Sequence, residues 1–419
     1  MSRARLGSPR AGKTPLHRCP EGGPDPAAAT GEAACRRPFF MPRLSRRDLL
    51  LATGASIAAY ATGAAVPPEA LATPTSTRLD PEFTFLLRGI DAIDAVLYAG
   101  DLDHDAMRQS ADWAATWSDP KPLPPNSVAA QVTRVIRHND MLFCAGRDTA
   151  LARLTVWRSP LADGDTPFRW VATPLSTQDF TSAKSGAQFT HDARYLYAGE
   201  YGNPPRGPNL YRSLDGMTWE TVFSERDQLA AIRRTARHIH AVAVDPYKRG
   251  HVYLTTGDFG ILTGAALWRS TRAGDPGTWE VVLPTGRYQS SQVSFDADTI
   301  WLAADNHVDT AVVIDRATMT ASPASPTHHY QIPVPGGAPG DAYYRIASAG
   351  KVDPSTGTYY CVATTDVGNT EGLFAIPDIG APVQLVDPGG RDIEMHSQVF
   401  IANGQVWSGQ WHRPLLTPS

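Results

Sequence analysis

Arg237-His238-Ile239-His240 opens, and Asp258 closes, the stretch of this chain in which ionisable side chains are densest. Two imidazoles at i and i+2 of a β-strand fall on one side of it. There they can move a proton, hold a divalent metal ion or donate two hydrogen bonds to a ligand. A guanidinium beside them can neutralise a carboxylate, and Asp258 offers a second acid or base. The bland alternative is a pair of core histidines bonded to neighbouring strands. The local pattern says what positions them. His238 to Val244 alternates and is β-branched, Asp245-Pro246-Tyr247 breaks it, and Val252 to Thr256 resumes it. This predicts two strands joined by a tight turn.

The second of those strands has copies along the chain, each running from aromatic or aliphatic residues through small ones to a polar one. They end at Asp101, Asp148, Glu200, Asp258, Asp305, Asp366 and Gln410, which are 47, 52, 58, 47, 61 and 44 residues apart. Apart from a short helix read over 226–237, helical periodicity is nearly absent. Short strands at a period near 50 residues predict an all-β fold, a β-propeller of four-stranded antiparallel blades. Seven units fit, with inner strands near residues 91, 131, 187, 239, 292, 344 and 397. Six or eight stay open. Glu82 to Leu87 can complete the last unit as the mature N-terminal strand, closing the ring and removing an exposed edge.

A second element recurs late in several units. Ser213-Leu214-Asp215-Gly216-Met217-Thr218-Trp219 is the clearest copy; Ser110 to Trp117, Ser270 to Trp279 and Ser159 to Trp170 are weaker ones. These segments resemble the Asp-box, S-x-D-x-G-x-T-W, of the sialidase/BNR-repeat superfamily. In that motif the carboxylate accepts backbone N–H groups within a turn and the Trp packs the hairpin. The resemblance covers roughly residues 90–415 and implies a propeller more than any one activity. The Arg237–Asp258 unit is also similar to a segment of uncharacterised exported bacterial propellers of that superfamily. Exo-sialidase activity is not expected. Such a site needs three arginines, a Tyr–Glu pair and an acid Asp, and Leu87-Arg88-Gly89-Ile90 is a poor substitute for the family's F/Y-R-I-P.

Propeller topology then sorts the polar residues. Asp-boxes join third and fourth strands on one face, so Asp112, Asp215 and Asp275 read as structural. Starts of inner strands and ends of second strands gather on the opposite face. They bring together catalytic candidates Arg237, His238, His240, Tyr344, Arg345, Glu200 and Asp258, with Tyr201, Asp305, His307, Asp366, His396, Gln410 and Trp411 as candidate substrate contacts. Aromatics suit apolar sugar faces, carboxylates suit hydroxyls, and arginine suits a uronate or sialate carboxylate. Glu200 to Pro208 reads as a rim or lid loop leaving that face. His328-His329 reads as a surface loop.

The front end reads as export machinery. Residues 1–40 are an over-called or disordered extension. Residues 41–72 carry Ser45-Arg46-Arg47-Asp48-Leu49-Leu50, an apolar run diluted by Gly and Thr, and the small-residue site Ala70-Leu71-Ala72. That is a twin-arginine signal peptide cut after Ala72. Residues 73–81 form a linker and 82–419 one propeller domain, with no integral membrane anchor after cleavage. Removing the 10 basic and 5 acidic residues of 1–72 from the chain's 38 and 42 leaves 28 and 37, a net charge of −9. Nucleic acid is therefore not an expected partner. Cys144 and Cys361 fall inside predicted strands and are expected to stay unpaired.

The expectation is a monomeric, exported propeller that acts on or binds a glycan or other small molecule, as a polysaccharide lyase or glycoside hydrolase. The alternative is a non-catalytic glycan-binding or scaffold propeller. No cofactor is expected, although a divalent metal at His238 and His240 fits the third class, a metal- or redox-dependent enzyme.

Overall fold

Strands packed on both faces must be apolar along their whole length, and the second strand of each predicted unit is. The computed structural model describes residues 96–101, 105–111, 116–128, 132–161, 167–175, 188–201, 207–257, 265–283, 289–305, 309–320, 328–333, 343–344, 346–364, 371–380, 383–386, 399–402 and 405–408. All lie in the unit Thr73–Ser419.

These residues form successive antiparallel sheets in simple up-and-down order. The first holds β1 (Leu97–Asp101), β2 (Ala106–Ser110) and β3 (Lys121–Pro122). The second holds β4 (Val132–His138), β5 (Met141–Asp148), β6 (Arg153–Pro160) and β7 (Val171–Pro174). The third holds β8 (Phe189–His191), β9 (Leu196–Gly199), β10 (Leu210–Ser213) and β11 (Trp219–Phe223). After helix α1 (Glu225–Ile232) comes the fourth, β12 (His238–Val244), β13 (Val252–Gly257), β14 (Ala266–Ser270) and β15 (Trp279–Leu283). The fifth is β16 (Ser290–Phe295), β17 (Thr299–Ala304), β18 (Ala311–Asp315) and β19 (His328–Tyr330). A short pair, β20 (Ile332–Pro333) and β21 (Tyr343–Tyr344), precedes the sixth, β22 (Ile346–Val352), β23 (Tyr359–Thr364), β24 (Glu371–Ile376) and β25 (Gln384–Val386). β26 (Val399–Ala402) and β27 (Gln405–Ser408) pair last.

Among the described residues, then, five sheets have four strands and one has three. The inner strands start at 132, 189, 238, 290, 346 and 399, close to six of the seven expected positions. The strand expected near 91 and the closing segment 82–87 lie outside the described residues. His328–His329 is a strand and not the surface loop expected, and His329 Nδ1 lies 3.1 Å from the buried Asp309 carboxylate.

Side-chain alternation builds the core. On β17, Trp301 and Ala303 pack toward β23 and β24 of the next sheet, while Ile300, Leu302 and Ala304 pack back toward β14 and β15. The same layering joins the first and second sheets, the second and third, the third and fourth, and the sixth and β26–β27. Each apolar layer lies between two sheets, as blades of a propeller require. Cys144 and Cys361 are buried in two such layers and free. Burial raises both thiols, Cys361 to about 12.

The inner-strand turns are pinned by a carboxylate. Asp192, Asp245, Asp296 and Asp353 each follow an inner strand and accept backbone N–H bonds from the turn that begins there. On the far side, Asp215 accepts N–H bonds from Met217 (2.8 Å) and Thr218 (2.9 Å), while Ser213 Oγ accepts that of Gly216. The Asp275 turn differs. Its carboxylate receives Arg212 of the preceding sheet (2.8 Å), and Ser270 Oγ takes the turn N–H groups instead. Asp112 lies outside the described residues. The bonds from Thr218, then Met217, hold the Asp215 carboxyl below its ordinary value. Its stabilisation is present above the ordinary carboxylate range and lost as pH falls toward the depressed value. Asp215→Ala should cost about 1 kcal/mol at neutral pH, because the site is exposed. Denaturant unfolding should show the gap from the native chain closing at acid pH.

Candidate functional site

One backbone irregularity recurs in the inner strands. In β12 the pairing passes from Ile239–Thr256 to Ala241–Thr255, leaving His240 as an extra residue. β4, β16 and β22 have the same bulge at Thr133, Ser291 and Ser348. A bulge re-aims the extra side chain and frees backbone groups from the ladder. The freed carbonyl of His240 is taken by Gln188 Nε2 of the preceding sheet at 2.6 Å.

α1 delivers the chain to this point. Asp227 reaches back to the Ser224 N–H at 2.9 Å, and the helix ends where Arg233 turns left-handed at φ 56°. It therefore stops short of the helical run read to 237. Gln228 Oε1 then holds the Ala236 N–H (2.8 Å), and the Arg237 N–H bonds Gly257 O (3.1 Å).

The two imidazoles do come together. His238 and His240 have ring centroids 5.9 Å apart at 26°, and Tyr201 stacks on His238 at 4.3 Å and 9°. Tyr201 is half-buried, whereas His238 and His240 are only 3% and 4% exposed. On the other side, His240 Nδ1 lies 3.6 Å from Asp305 Oδ2 of the next sheet. Gln289 fixes that carboxylate, donating Nε2 to Oδ2 at 3.0 Å and accepting the Asp305 N–H on its own carbonyl at 2.9 Å. A separation of 3.6 Å is an electrostatic contact; closing by half an ångström or so would make it a hydrogen bond that selects the Nδ1–H tautomer.

Gly257 explains the small residues that end second strands. A Cβ there would meet His240 Cε1 at 2.4 Å and Nε2 at 2.5 Å, and one at Gly199 would meet Ile239 Cγ2 at 2.7 Å. The strand end is kept bare so that an inner-strand side chain can lie across it. Gly257→Ala should push the imidazole aside and cost about 1–3 kcal/mol. A changed His240 ring resonance together with a lowered unfolding midpoint would show it.

Glu200 has a different setting from the one its sequence position suggests. It is buried, Tyr211 OH donates to Oε1 (2.8 Å), and the Asn209 N–H donates to Oε2 (2.7 Å). Its carbonyl accepts the Ile239 N–H at 2.9 Å. Glu200 thus ties β9, β10 and β12 together, with both carboxylate oxygens engaged inside the protein. Tyr344 lies in the β20–β21 pair directly before β22 and not within the inner strand. Asp258, His307, Arg345, Asp366, His396, Gln410 and Trp411 lie outside the described residues. Among the described residues, no group of three or more His, Cys, Asp or Glu could hold a metal ion.

Gln188 and Gly257 support the site yet went unread as functional in the sequence, whereas Gln289 stands among the inner-strand starts expected on that face. A signal existed for Gln188: Arg134, Gln188 and Gln292 stand four residues before His138, Asp192 and Asp296, at the ends of their inner strands. Arg134 donates to Phe189 O of the next inner strand, and Gln292 Oε1 accepts the Gly350 N–H.

Layered antiparallel sheets in up-and-down order, joined face to face, define a propeller-type protein. Similarity to solved structures agrees. The chain is similar to the GH74 xyloglucanase from Xanthomonas campestris, with a TM-score of 0.51 and 17% identity over 73% of this chain and 45% of that one. It is also similar to YCF48 from Cyanidioschyzon merolae, with a TM-score of 0.50 and 11% identity over 79% and 94% of the two chains. The chain therefore spans less than half the length of the xyloglucanase, and likeness at these identities is likeness of fold. No family model and no curated protein matches it.

Proposed function

We propose that this chain is an exported propeller of the sialidase-like, Asp-box kind whose inner-strand face acts on carbohydrate by acid–base chemistry at His240. The observation that carries the reading is the setting of His240: a bulged residue, packed on Gly257, backed by Asp305 and joined through His238 to the half-buried ring of Tyr201. A carboxylate 3.6 Å behind an imidazole can hold the ring in place for proton transfer. The outer face of Tyr201 suits the apolar face of a sugar ring.

Between the two carbohydrate chemistries, the geometry favours elimination. A hydrolase needs two available carboxylates at a set separation, and Glu200 has its oxygens occupied. A lyase needs a base for the C5 proton, a cation on the uronate carboxylate, and a proton donor for the leaving oxygen. In this reading His240 takes the proton from C5, and Arg237 or Arg345 neutralises the carboxylate. His238 or Tyr344 returns a proton as the C4–O bond breaks. Asp258, His307, Asp366, His396, Gln410 and Trp411 complete the sugar contacts.

The near-complete burial of both imidazoles favours a second reading, a non-catalytic glycan-binding or scaffold propeller. Export by the twin-arginine route with cleavage after Ala72, the 82–419 domain and a monomeric state belong to the proposal in either case. Among the described residues no helix is long and apolar enough to cross a membrane. The deciding experiment incubates the protein with a panel of neutral, sialylated and uronate-containing glycans and reads product masses. Elimination products lack the added water that hydrolysis products carry. Products with added water would overturn the lyase reading, and intact glycans that still bind would establish the second reading.

A further inference from the structure

Four arginines fall within residues 226–237, against one acid, in a chain whose residues 73–419 carry 28 basic and 37 acidic side chains. Helix α1 and the turn after it present them. Arg226 lies in the first turn, Arg233 ends the helix, and Arg234 follows. Arg226, Leu229, Ala230 and Arg233 recur at i, i+3, i+4 and i+7, one stripe about 10 Å long. All four are exposed, and so is Arg234. Among the described residues no ion pair or side-chain hydrogen bond reaches Arg226, Arg233 or Arg234.

The other side of the helix is tied to the protein. Asp227 accepts the Ser224 N–H at 2.9 Å and the Ser224 hydroxyl at 3.0 Å. Fully buried Gln228 holds the Ala236 N–H at 2.8 Å. A Cβ on Gly207, near the end of the rim loop, would stand 3.1 Å from Gln228 Nε2 and 3.4 Å from Glu225 Cβ. Both ends of α1 are fixed on the face that carries His240. Before it, Phe223 pairs with Leu210, which pairs with Gly199 at the end of β9. After it, the Arg237 N–H bonds Gly257 O at the end of β13. The helix therefore sits rigidly on that face with its acids and its amide inward and its arginines outward.

We propose that α1 is a rim subsite for a linear polyanionic glycan, a polyuronate chain that leaves the His240 site past Arg237 and runs along Arg226 and Arg233. Guanidinium forks match carboxylates, and Leu229 between them offers apolar contact to a sugar face. One arginine satisfies a single small anion. Several, spaced along a helix, gain their affinity from a ligand that repeats its charge. An anionic membrane suits the patch less, because eight residues with one exposed leucine bury too little apolar surface to hold an interfacial helix. The identity of the ligand rests on the glycan reading of this face, whereas binding along the arginines needs no chemistry at His240.

Calorimetric titration of the full chain with polygalacturonate, trigalacturonate and neutral dextran tests it. The native chain should bind the polymer more tightly than the trimer, should ignore dextran, and should lose polymer affinity as salt rises. Arg226→Gln, Arg233→Asn and Arg234→Gln together should weaken polymer binding by about 10-fold and leave trimer binding as it was. The unfolding midpoint should stay native, because these side chains are exposed and Asn accepts the left-handed backbone of Arg233 at φ 56°. Arg234→Glu is a second variant, which should weaken polymer binding more than Arg234→Gln does. Polymer that binds without being cleaved, and binds less to the triple variant, would sink the lyase reading of His240 and sustain the rim. A native chain that binds polymer no better than trimer, a triple variant with native polymer affinity, or an equal loss for trimer and polymer would overturn the proposal. Arginine-dependent binding to vesicles of phosphatidylserine and phosphatidylcholine in equal parts, with no binding of polymer, would overturn it in favour of a lipid surface.

Discussion

His240→Gln is expected to lower glycan turnover by about 10²- to 10⁴-fold, the range for loss of a positioned acid–base group, with little change in the unfolding midpoint. The amide is smaller than the imidazole, so it fits beside Gly257, and the bond from Gln188 goes to the backbone carbonyl, which the substitution keeps. The loss should fall on kcat more than on KM, since Tyr201 still offers its ring. Asp305→Asn is a gentler probe. It keeps the shape, removes the charge 3.6 Å from Nδ1, and should shift the pH profile of kcat/KM as well as its height. A His240→Gln protein with native turnover would return both histidines to the core. Loss of folding would send the question to Asp305→Asn.

Asp245→Ala is expected to destabilise the fold by about 3–5 kcal/mol, the range for removing one partner of a buried ion pair. Asp245 is fully buried and receives both nitrogens of Arg316 from the next sheet, at 2.5 and 3.1 Å, while its Oδ1 also caps the Tyr247 N–H. Arg316 lies near Tyr247 and Phe295, and its side chain is only 9% exposed. Arg212 makes a useful contrast. Its partners Glu220 and Asp275 are about half exposed, so either acid should be worth only about 0–1 kcal/mol. Denaturant unfolding of Asp245→Ala, Glu220→Ala and Asp275→Ala would rank them. An Asp245→Ala loss no larger than the other two would contradict the burial argument. Replacing Asp245 and Arg316 together by apolar residues should recover much of the loss, because the cost lies in the stranded charge.

The sheets were legible because a blade imposes one demand over and over. Its second strand is apolar on both faces and ends in a small residue before a polar one, so Tyr197-Ala198-Gly199-Glu200 and Val252 to Gly257 announce themselves. The reason for the small residue is visible only in three dimensions, where His240 lies across Gly257. Glu200 misleads for a related cause. Its place at a strand end points to the ligand face, but Tyr211 and Asn209 are brought beside it by the return of β10, which spacing alone does not reveal. The bulge was likewise hidden, since i and i+2 residues of a regular strand would also share a side. The Asp turns at 192, 245, 296 and 353 repeat every 53, 51 and 57 residues, a second periodicity as clear as the first.

The most direct test of the glycan-facing site is a two-dimensional imidazole ¹⁵N–¹H spectrum, assigned with His238→Gln and His240→Gln and followed during titration with oligosaccharides. The account predicts that a bound glycan moves the resonances of both rings together, and that Tyr201→Ala weakens the binding that moves them. Binding or cleavage of glycan with both rings unmoved would place the ligand elsewhere and leave the His238–His240 stack as part of the core.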